Sequence, residues 1–462
     1  MSALFTSAEM EAATLGCSTR AFAATGISID TRTLKPGDLF VALTGGARDG
    51  HAFVPDAFAA QASGAMVSRR PDGVSGDMPL LVVGHTQRGL EDLGRASRAL
   101  SRAKIVAVTG SAGKTTTKEI LRLACGALGN THASSASYNN HWGVPLSLAQ
   151  MPRNTQFGIF EIGMNHFGEI RTLVSFVRPH VALITTIAPA HLEFFGTCEA
   201  IADAKSEIFE GLVPGGAALI PSDPPYADRL IARAKQAGVS RVLTFGAKPG
   251  SDARLVARSE SEEGMKVEAD ILGKPCHFRI GAPGAHIAAN AVGALLAVAE
   301  LEGDVLNAAA ALSRFAALKG RGQRFTIKIG VGAAEVIDES YNANPSSMAA
   351  AFALLGAANA RRRIAVIGDM LEMGPDSPAH HAGLARDVES ARADLVFACG
   401  ANMKALWDAL PASRRGAYGA VSADIADRVV AAVGAGDVVL VKGSLGSRMA
   451  VIIDALKALQ GA

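Results

Sequence analysis

The stretch Lys104–Glu119, KIVAVTGSAGKTTTKE, carries the residue types of a phosphate cradle. The apolar run Ile105–Val108 reads as a buried strand, Thr109-Gly110 ends it, and a helix-forming run begins near Lys114. In that order, the turn's backbone N–H groups and the positive end of the helix aim at an anion. Lys114 adds a mobile charge, and Thr115 offers a hydroxyl to Mg²⁺. Gly110 and Gly113 let phosphate oxygens approach the backbone, where a side chain would hold them off. The spacing is shorter than the usual G-x-x-x-x-G-K-[ST], so the flanking strand and helix carry part of the signal.

Other residues could complete that chemistry. Glu161 ends the apolar run FGIFEI, where a carboxylate can reach a metal on nucleotide phosphates or can cap a helix. His191 follows VALITTI in APAHLE and reads as a metal ligand or as a hydrogen-bonded loop residue. Lys205 falls on the apolar stripe of its helix, four residues after Ile201. Such an inward amine must pair with an acid such as Glu161, snorkel outwards, or lose its charge; a neutral amine can take up CO₂ as a carbamate. Asn290 shares an inward stripe with Ile287 and Ala294, where an amide would meet an adenine edge or a core partner. In DESYNANPSSM, Asp338 is placed to meet a ribose hydroxyl, and Asn342 and Asn344 set a turn before a helix. Lys442 and Ser444, in VKGSLGS, sit on a loop after a strand and would face a cleft.

The elements that must position these residues divide into three units. In residues 1–102, GISIDTRTLKPGDLFVAL reads as strand, turn, strand, followed by helical segments at Phe53–Ala62 and Gln87–Ser101. In residues 103–318, IVAVT, FGIFEI, VALITTI, GAALIP and RVLTFG alternate with helix-length segments, and the helical runs His286–Leu301 and Leu306–Leu318 follow. That alternation predicts a doubly wound, mostly parallel sheet whose ligand lies at the strands' carboxyl ends. Residues 319–462 repeat the pattern with EVIDES, RIAVIG, DLVFACG and DVVLVKG after the joint Lys319–Gly322. The expected fold class is therefore α/β: a small α/β N-terminal domain, a central P-loop domain and a Rossmann-like C-terminal domain.

Bulk composition narrows the function. A chain of 462 residues exceeds one core, and 49% hydrophobic with 19% charged residues indicates globular folding. A net charge of +2 argues against a broad nucleic-acid surface. Five scattered cysteines without a CxxC fit a reducing cytoplasm, with no disulfide framework or zinc site. The N-terminus MSALFTSAEMEAA has no basic n-region, and the longest apolar stretch, Ile287–Leu301, is interrupted by Asn290 and Glu300. Neither secretion nor membrane insertion is expected.

Together these motifs resemble the Mur ligase family over essentially the whole chain. The match includes IDTRTLKPGDLFVAL and the DGH at 49–51, then GSAGKTTTKE, NNHWGVP, EIGMNHFGEI, APAHLE and AKSEIFEGL, and finally GAHIAAN, KGR, YNANPSSM, GDMLEMG and VKGS. The DNPR-type motif of the sibling that adds the third peptide residue is absent. The resemblance implies an ATP- and Mg²⁺-dependent cytoplasmic amide ligase, acting as a monomer. It would join D-alanyl-D-alanine to UDP-N-acetylmuramoyl-tripeptide through an acyl phosphate.

It also implies roles for individual residues. Gly110, Ser111, Ala112, Gly113, Lys114, Thr115 and Thr116 would hold the ATP phosphates. Thr115 and Glu161 would ligate one Mg²⁺, and His191 with a carbamylated Lys205 a second. Asn290, Arg321 and Asp338 would contact the nucleotide. Asp30, Thr31 and Arg32 with Asn139 and Asn140 would hold the UDP-sugar-peptide, while Asn342, Asn344, Lys442 and Ser444 would complete the substrate site. The chain departs from the family pattern at Thr186 and Ile287, where Asn is usual in each case. A folylpolyglutamate synthase-like ligase is the nearest competitor, but such enzymes begin near the cradle and lack the IDTR-containing unit. A non-catalytic nucleotide-binding module would have no need of Glu161, His191 and Lys205 together.

Overall fold

Three parallel-rich sheets follow one another along the chain in the computed structural model, which describes residues 3–45, 48–135, 137–261 and 264–459. The first sheet runs in the order Cys17–Ser18, Leu80–Val82, Gly64–Val67, Asp38–Val41, Gly26–Ser28. The strands Gly26–Ser28 and Asp38–Val41 flank the expected turn but pair in parallel, so the segment between them is a crossover and not a hairpin loop. Helix Thr86–Leu100 ties this unit to the next. Its Leu90 and Leu93 share a core cluster with Leu146 and Ala149 of the central unit. Its buried Arg98 donates to the carbonyls of Val177 and Arg178, each at 2.8 Å, neutralising the end of helix Glu169–Val177.

The central sheet has nine strands. Their order is Thr131–Ala133, Phe157–Glu161, Lys104–Thr109, Val181–Ile184, Ala217–Pro221 and Arg241–Gly246, then Ala253–Ser261, Gly264–Ile271 and Lys274–Ile280. The five apolar runs read from sequence are parallel strands, and Thr131–Ala133 adds a sixth at the edge. Val106 and Val108 pack into one core and Ile105 and Ala107 into the other, the alternation that a strand buried on both faces requires. Each such side chain contributes about 1.5–3 kcal/mol by leaving water. Helices Lys114–Gly126 and Ala285–Glu300 cover the first face, and Glu169–Val177 and Cys198–Ser206 the second. The three antiparallel strands from Ala253 to Ile280 extend the sheet beyond what the apolar runs indicate.

After Lys104–Thr109 the winding passes to one side, through Thr131–Ala133 and Phe157–Glu161, and then to the other, through Val181–Ile184. This reversal opens a crevice beside the phosphate loop. The third sheet runs Gln323–Ile329, Gly332–Glu339, Asp437–Lys442, Arg362–Gly368, Leu395–Cys399 and Arg415–Gly419, parallel except for its first strand. Among the described residues no helix is long and apolar enough to cross a membrane.

Candidate active site

Strand Lys104–Thr109 lies between Phe157–Glu161 and Val181–Ile184, so the three carboxyl ends open on one crevice. The loop that follows adopts φ +150° at Gly110 and +80° at Gly113, both in the left-handed half of backbone space. A Cβ at Gly110 would lie 1.9 Å from Thr185 Oγ1, and one at Gly113 would lie 2.8 Å from Asn290 Nδ2. Three hydrogen bonds pin the loop. Ser111 N–H donates to Thr186 O at 2.9 Å, Ala188 N–H to Ser111 Oγ at 3.0 Å, and the Thr185 hydroxyl to Ala112 O at 2.5 Å. Because the Thr186 bond uses a backbone carbonyl, the family's Asn is not needed for it. Helix Lys114–Gly126 starts without a side-chain cap, which leaves its first N–H groups available to an anion. Lys114 folds over the loop and donates to Gly110 O at 2.8 Å. Surrounding protein lowers its pKa, the Glu161 carboxylate raises it, and the Arg321 guanidinium lowers it again. Gly110→Ala is expected to cost about 1–3 kcal/mol of stability, read as a lower thermal midpoint, because a strained φ and the clash with Thr185 act together.

Glu161 is 1% exposed, and its Oε1 accepts from Asn139 Nδ2 at 2.7 Å. Its Oε2 and the hydroxyl of the adjoining helix's Thr115 are both buried without a hydrogen-bond partner. Each such orphan costs about 1–3 kcal/mol. A hard cation that also holds phosphate oxygens and water would satisfy both, and the two residues fit Mg²⁺ in that role. Among the described residues no group of three or more His, Cys, Asp and Glu could hold a metal.

Lys205, in helix Cys198–Ser206, is 1% exposed, so it does not snorkel. Neither Glu161 nor another acid among the described residues pairs with it. Burial, then the Lys114 ammonium, pushes its pKa well below the usual lysine value. These surroundings favour the neutral amine over the ammonium, and the neutral amine is the form that reacts with CO₂. His191 places its Nδ1 2.5 Å from Oε2 of Glu372, in the third unit's GDMLEMG loop. The hydrogen bond from His191 holds the Glu372 carboxyl below its ordinary pKa.

Between the central and third units lies a cavity of about 240 Å³, lined among others by Gly113, Asn290, Arg321, Asn342, Asn344 and Lys442. Asn290 is 7% exposed beneath Gly113. Arg321 stacks 4.1 Å over the Tyr341 ring and donates to Ser137 Oγ at 3.2 Å. Asn344 caps helix Pro345–Ala357 and donates from Nδ2 to Ser111 O at 3.3 Å, which brings the third unit onto the phosphate loop. Lys442 is buried and donates to Asn342 O at 2.9 Å and Glu339 Oε2 at 3.3 Å.

Two expected contacts are not brought to this cavity. Asp338 is fully buried, and its carboxylate accepts from Gly320 N–H, Ser340 N–H and the Ser340 hydroxyl, so it braces the joint instead of facing a ribose. Its neighbour Glu339 lines the cavity. Ser444 is likewise occupied, accepting from Leu371 N–H and donating to Ala343 O. Asn139 holds Glu161, and Asn140 accepts from Gly143 N–H at the start of helix Gly143–Ala149. Asp30 and Arg32, flanking Thr31, form a two-pronged pair on the loop after Gly26–Ser28, with Tyr138 close enough to act electrostatically on Arg32. His286, Glu339 and Glu372 were missed by sequence reasoning. Each lay within a quoted motif, His286 in GAHIAAN, Glu339 in DESYNANPSSM and Glu372 in GDMLEMG, and His286 and Glu339 line the cavity.

Comparisons with known proteins agree with this layout. Three family models match in order: "Mur ligase family, catalytic domain" over residues 23–82, "Mur ligase middle domain" over 108–298, and "Mur ligase, glutamate ligase domain" over 323–445. The chain is 33% identical to the UDP-N-acetylmuramoyl-tripeptide–D-alanyl-D-alanine ligase of Escherichia coli, across 93% of each chain. It is 32% identical to the protein of that name from Rickettsia prowazekii, across 93% of this chain and 94% of the other. The crystal structure of MurF from Acinetobacter baumannii superposes with a TM-score of 0.85 at 29% identity, covering 98% of this chain and 99% of that one. With a phosphate loop, a cleft between two α/β units and matching relatives over nearly its full length, the chain belongs to the Mur ligase family.

Proposed function

We propose that this chain is the ATP-dependent ligase that joins D-alanyl-D-alanine to UDP-N-acetylmuramoyl-tripeptide, yielding the pentapeptide precursor of peptidoglycan. The observation that carries the chemistry is a pair of buried, unsatisfied oxygens beside the phosphate loop, Thr115 Oγ1 and Glu161 Oε2, together with the buried Lys205 that no acid among the described residues pairs with. A passive nucleotide-binding module would gain nothing from their cost. The substrate assignment is supported by the relatives named for it, whose length this chain covers almost entirely.

On this reading residues 1–102 hold the UDP-sugar-peptide, residues 103–318 bind ATP, and residues 319–462 close the site and receive the dipeptide. The tripeptide carboxylate attacks the γ-phosphorus of ATP, ADP leaves, and the dipeptide amine then displaces phosphate from the acyl carbon. Lys114 and the N-terminus of helix Lys114–Gly126 gather negative charge as two anions approach. Thr115 and Glu161 would hold one Mg²⁺, and His191 with carbamylated Lys205 a second. Such ions neutralise phosphate charge when bound. Asn139 orients Glu161, and Asn290 and Arg321 border the space for the nucleoside. Docking of the third unit over the loop, through Asn344, excludes water that would hydrolyse the acyl phosphate. The five free cysteines suit a cytoplasmic enzyme, and one chain supplies every proposed group, so a monomer suffices.

The test is product formation. Pentapeptide should be detected by mass only when ATP, UDP-N-acetylmuramoyl-tripeptide and D-alanyl-D-alanine are all present. ADP release with a folate and glutamate in their place would favour the synthase-like alternative.

A further inference from the structure

Two non-glycine residues with left-handed backbones meet where the central and third units touch: His191 at φ +58° and Glu372 at φ +62°. That conformation costs a side-chain-bearing residue about 1–3 kcal/mol and persists only where its surroundings impose it. Here the two loops impose it on each other. Glu193 N–H donates to Glu372 O at 3.2 Å, Gly374 rests on the Glu193 backbone, and Leu192 packs against the cores of both units. The result is a clasp whose polar centre is the His191 Nδ1–Glu372 carboxylate bond. Among the described residues, Nε2 of His191 has no hydrogen-bond partner. A carboxylate on one ring nitrogen fixes the proton there and leaves the other lone pair for a cation.

We propose that Glu372 is a positioning residue: supplied by the third unit, it aims His191 at the second Mg²⁺ and so couples ion binding to docking of that unit. The proposal rests on the reading above that His191 ligates Mg²⁺. A plain interdomain ion pair would hold the units together without affecting the ion.

Mn²⁺ in place of Mg²⁺ separates these cases. Binding is measured by electron paramagnetic resonance on the full-length protein with a non-hydrolysable ATP analogue. Glu372→Ala is expected to weaken the second Mn²⁺ about tenfold. Glu372→Gln, whose amide oxygen still accepts the Nδ1 proton, should keep most of the affinity, and His191→Ala should lose that ion. Adding Glu372→Ala to His191→Ala should weaken Mn²⁺ no further, since one residue acts through the other. Parent-like Mn²⁺ binding in Glu372→Ala, with loss in His191→Ala, overturns the positioning role alone. Parent-like binding in both overturns the ligand reading of His191 and this inference with it.

Discussion

Replacing Lys114 by alanine is expected to reduce ADP formation about 10³-fold while the folded state persists, the loss typical of removing a preorganised group that meets developing charge. Lys114 has no structural duty that alanine would forfeit beyond one bond to Gly110 O. Burial and the Arg321 guanidinium disfavour its ammonium, while the Glu161 carboxylate favours it. The loop is held by Ser111, Thr185 and Ala188 instead. Arginine should not restore activity, because a planar guanidinium cannot occupy the space of a compact ammonium folded back over the loop. ATP-analogue binding should weaken less than turnover. Full turnover in Lys114→Ala would refute the cradle assignment.

The second large effect concerns Lys205. Lys205→Ala is expected to lose activity at least about 10²-fold, with partial return when a short carboxylic acid is added to occupy the vacated space as a carbamate would. Parent-like activity in Lys205→Arg would contradict the carbamate and favour a plain cation. The same residue has a thermodynamic signature. Its folded pKa lies well below the unfolded value of 10.5, through burial first and Lys114 second. Between those two values the unfolded chain binds a proton that the folded chain does not, so stability rises with pH across that window. Below the folded pKa both states are protonated and the whole penalty of burial is present. Lys205→Met should therefore raise the thermal midpoint at neutral pH in CO₂-depleted buffer, and its advantage should shrink as pH approaches 10.5. An inactive variant more stable than its parent indicates a residue kept for chemistry.

Much of this was legible in the residues themselves. The central parallel strands such as Lys104–Thr109, Val181–Ile184 and Asp437–Lys442 are largely apolar because both faces are buried, so they announce themselves. The less buried Thr131–Ala133 and Arg415–Gly419 do not. Lys205 was legible because a charged residue on an apolar helical stripe conflicts with its surroundings. The antiparallel strands Ala253–Ser261, Gly264–Ile271 and Lys274–Ile280 were not. Each of the last two alternates buried with exposed side chains, and the polar half of that pattern hides the apolar half. Asp338 fails by a single step. Successive strand residues face opposite ways, and sequence alone does not tell which of Asp338 and Glu339 turns towards the cavity. The pairing of His191 with Glu372 joins residues 181 positions apart on loops of separate units, a contact that no local pattern encodes.

The central claim is that the γ-phosphoryl group passes to the carboxylate of the tripeptide before the amide forms. UDP-N-acetylmuramoyl-tripeptide labelled with ¹⁸O in its terminal carboxylate tests this directly, with the released phosphate analysed by mass after reaction with ATP and D-alanyl-D-alanine. An acyl phosphate places one carboxylate oxygen in every phosphate released, so each should carry one ¹⁸O. Unlabelled phosphate alongside pentapeptide product would contradict the account.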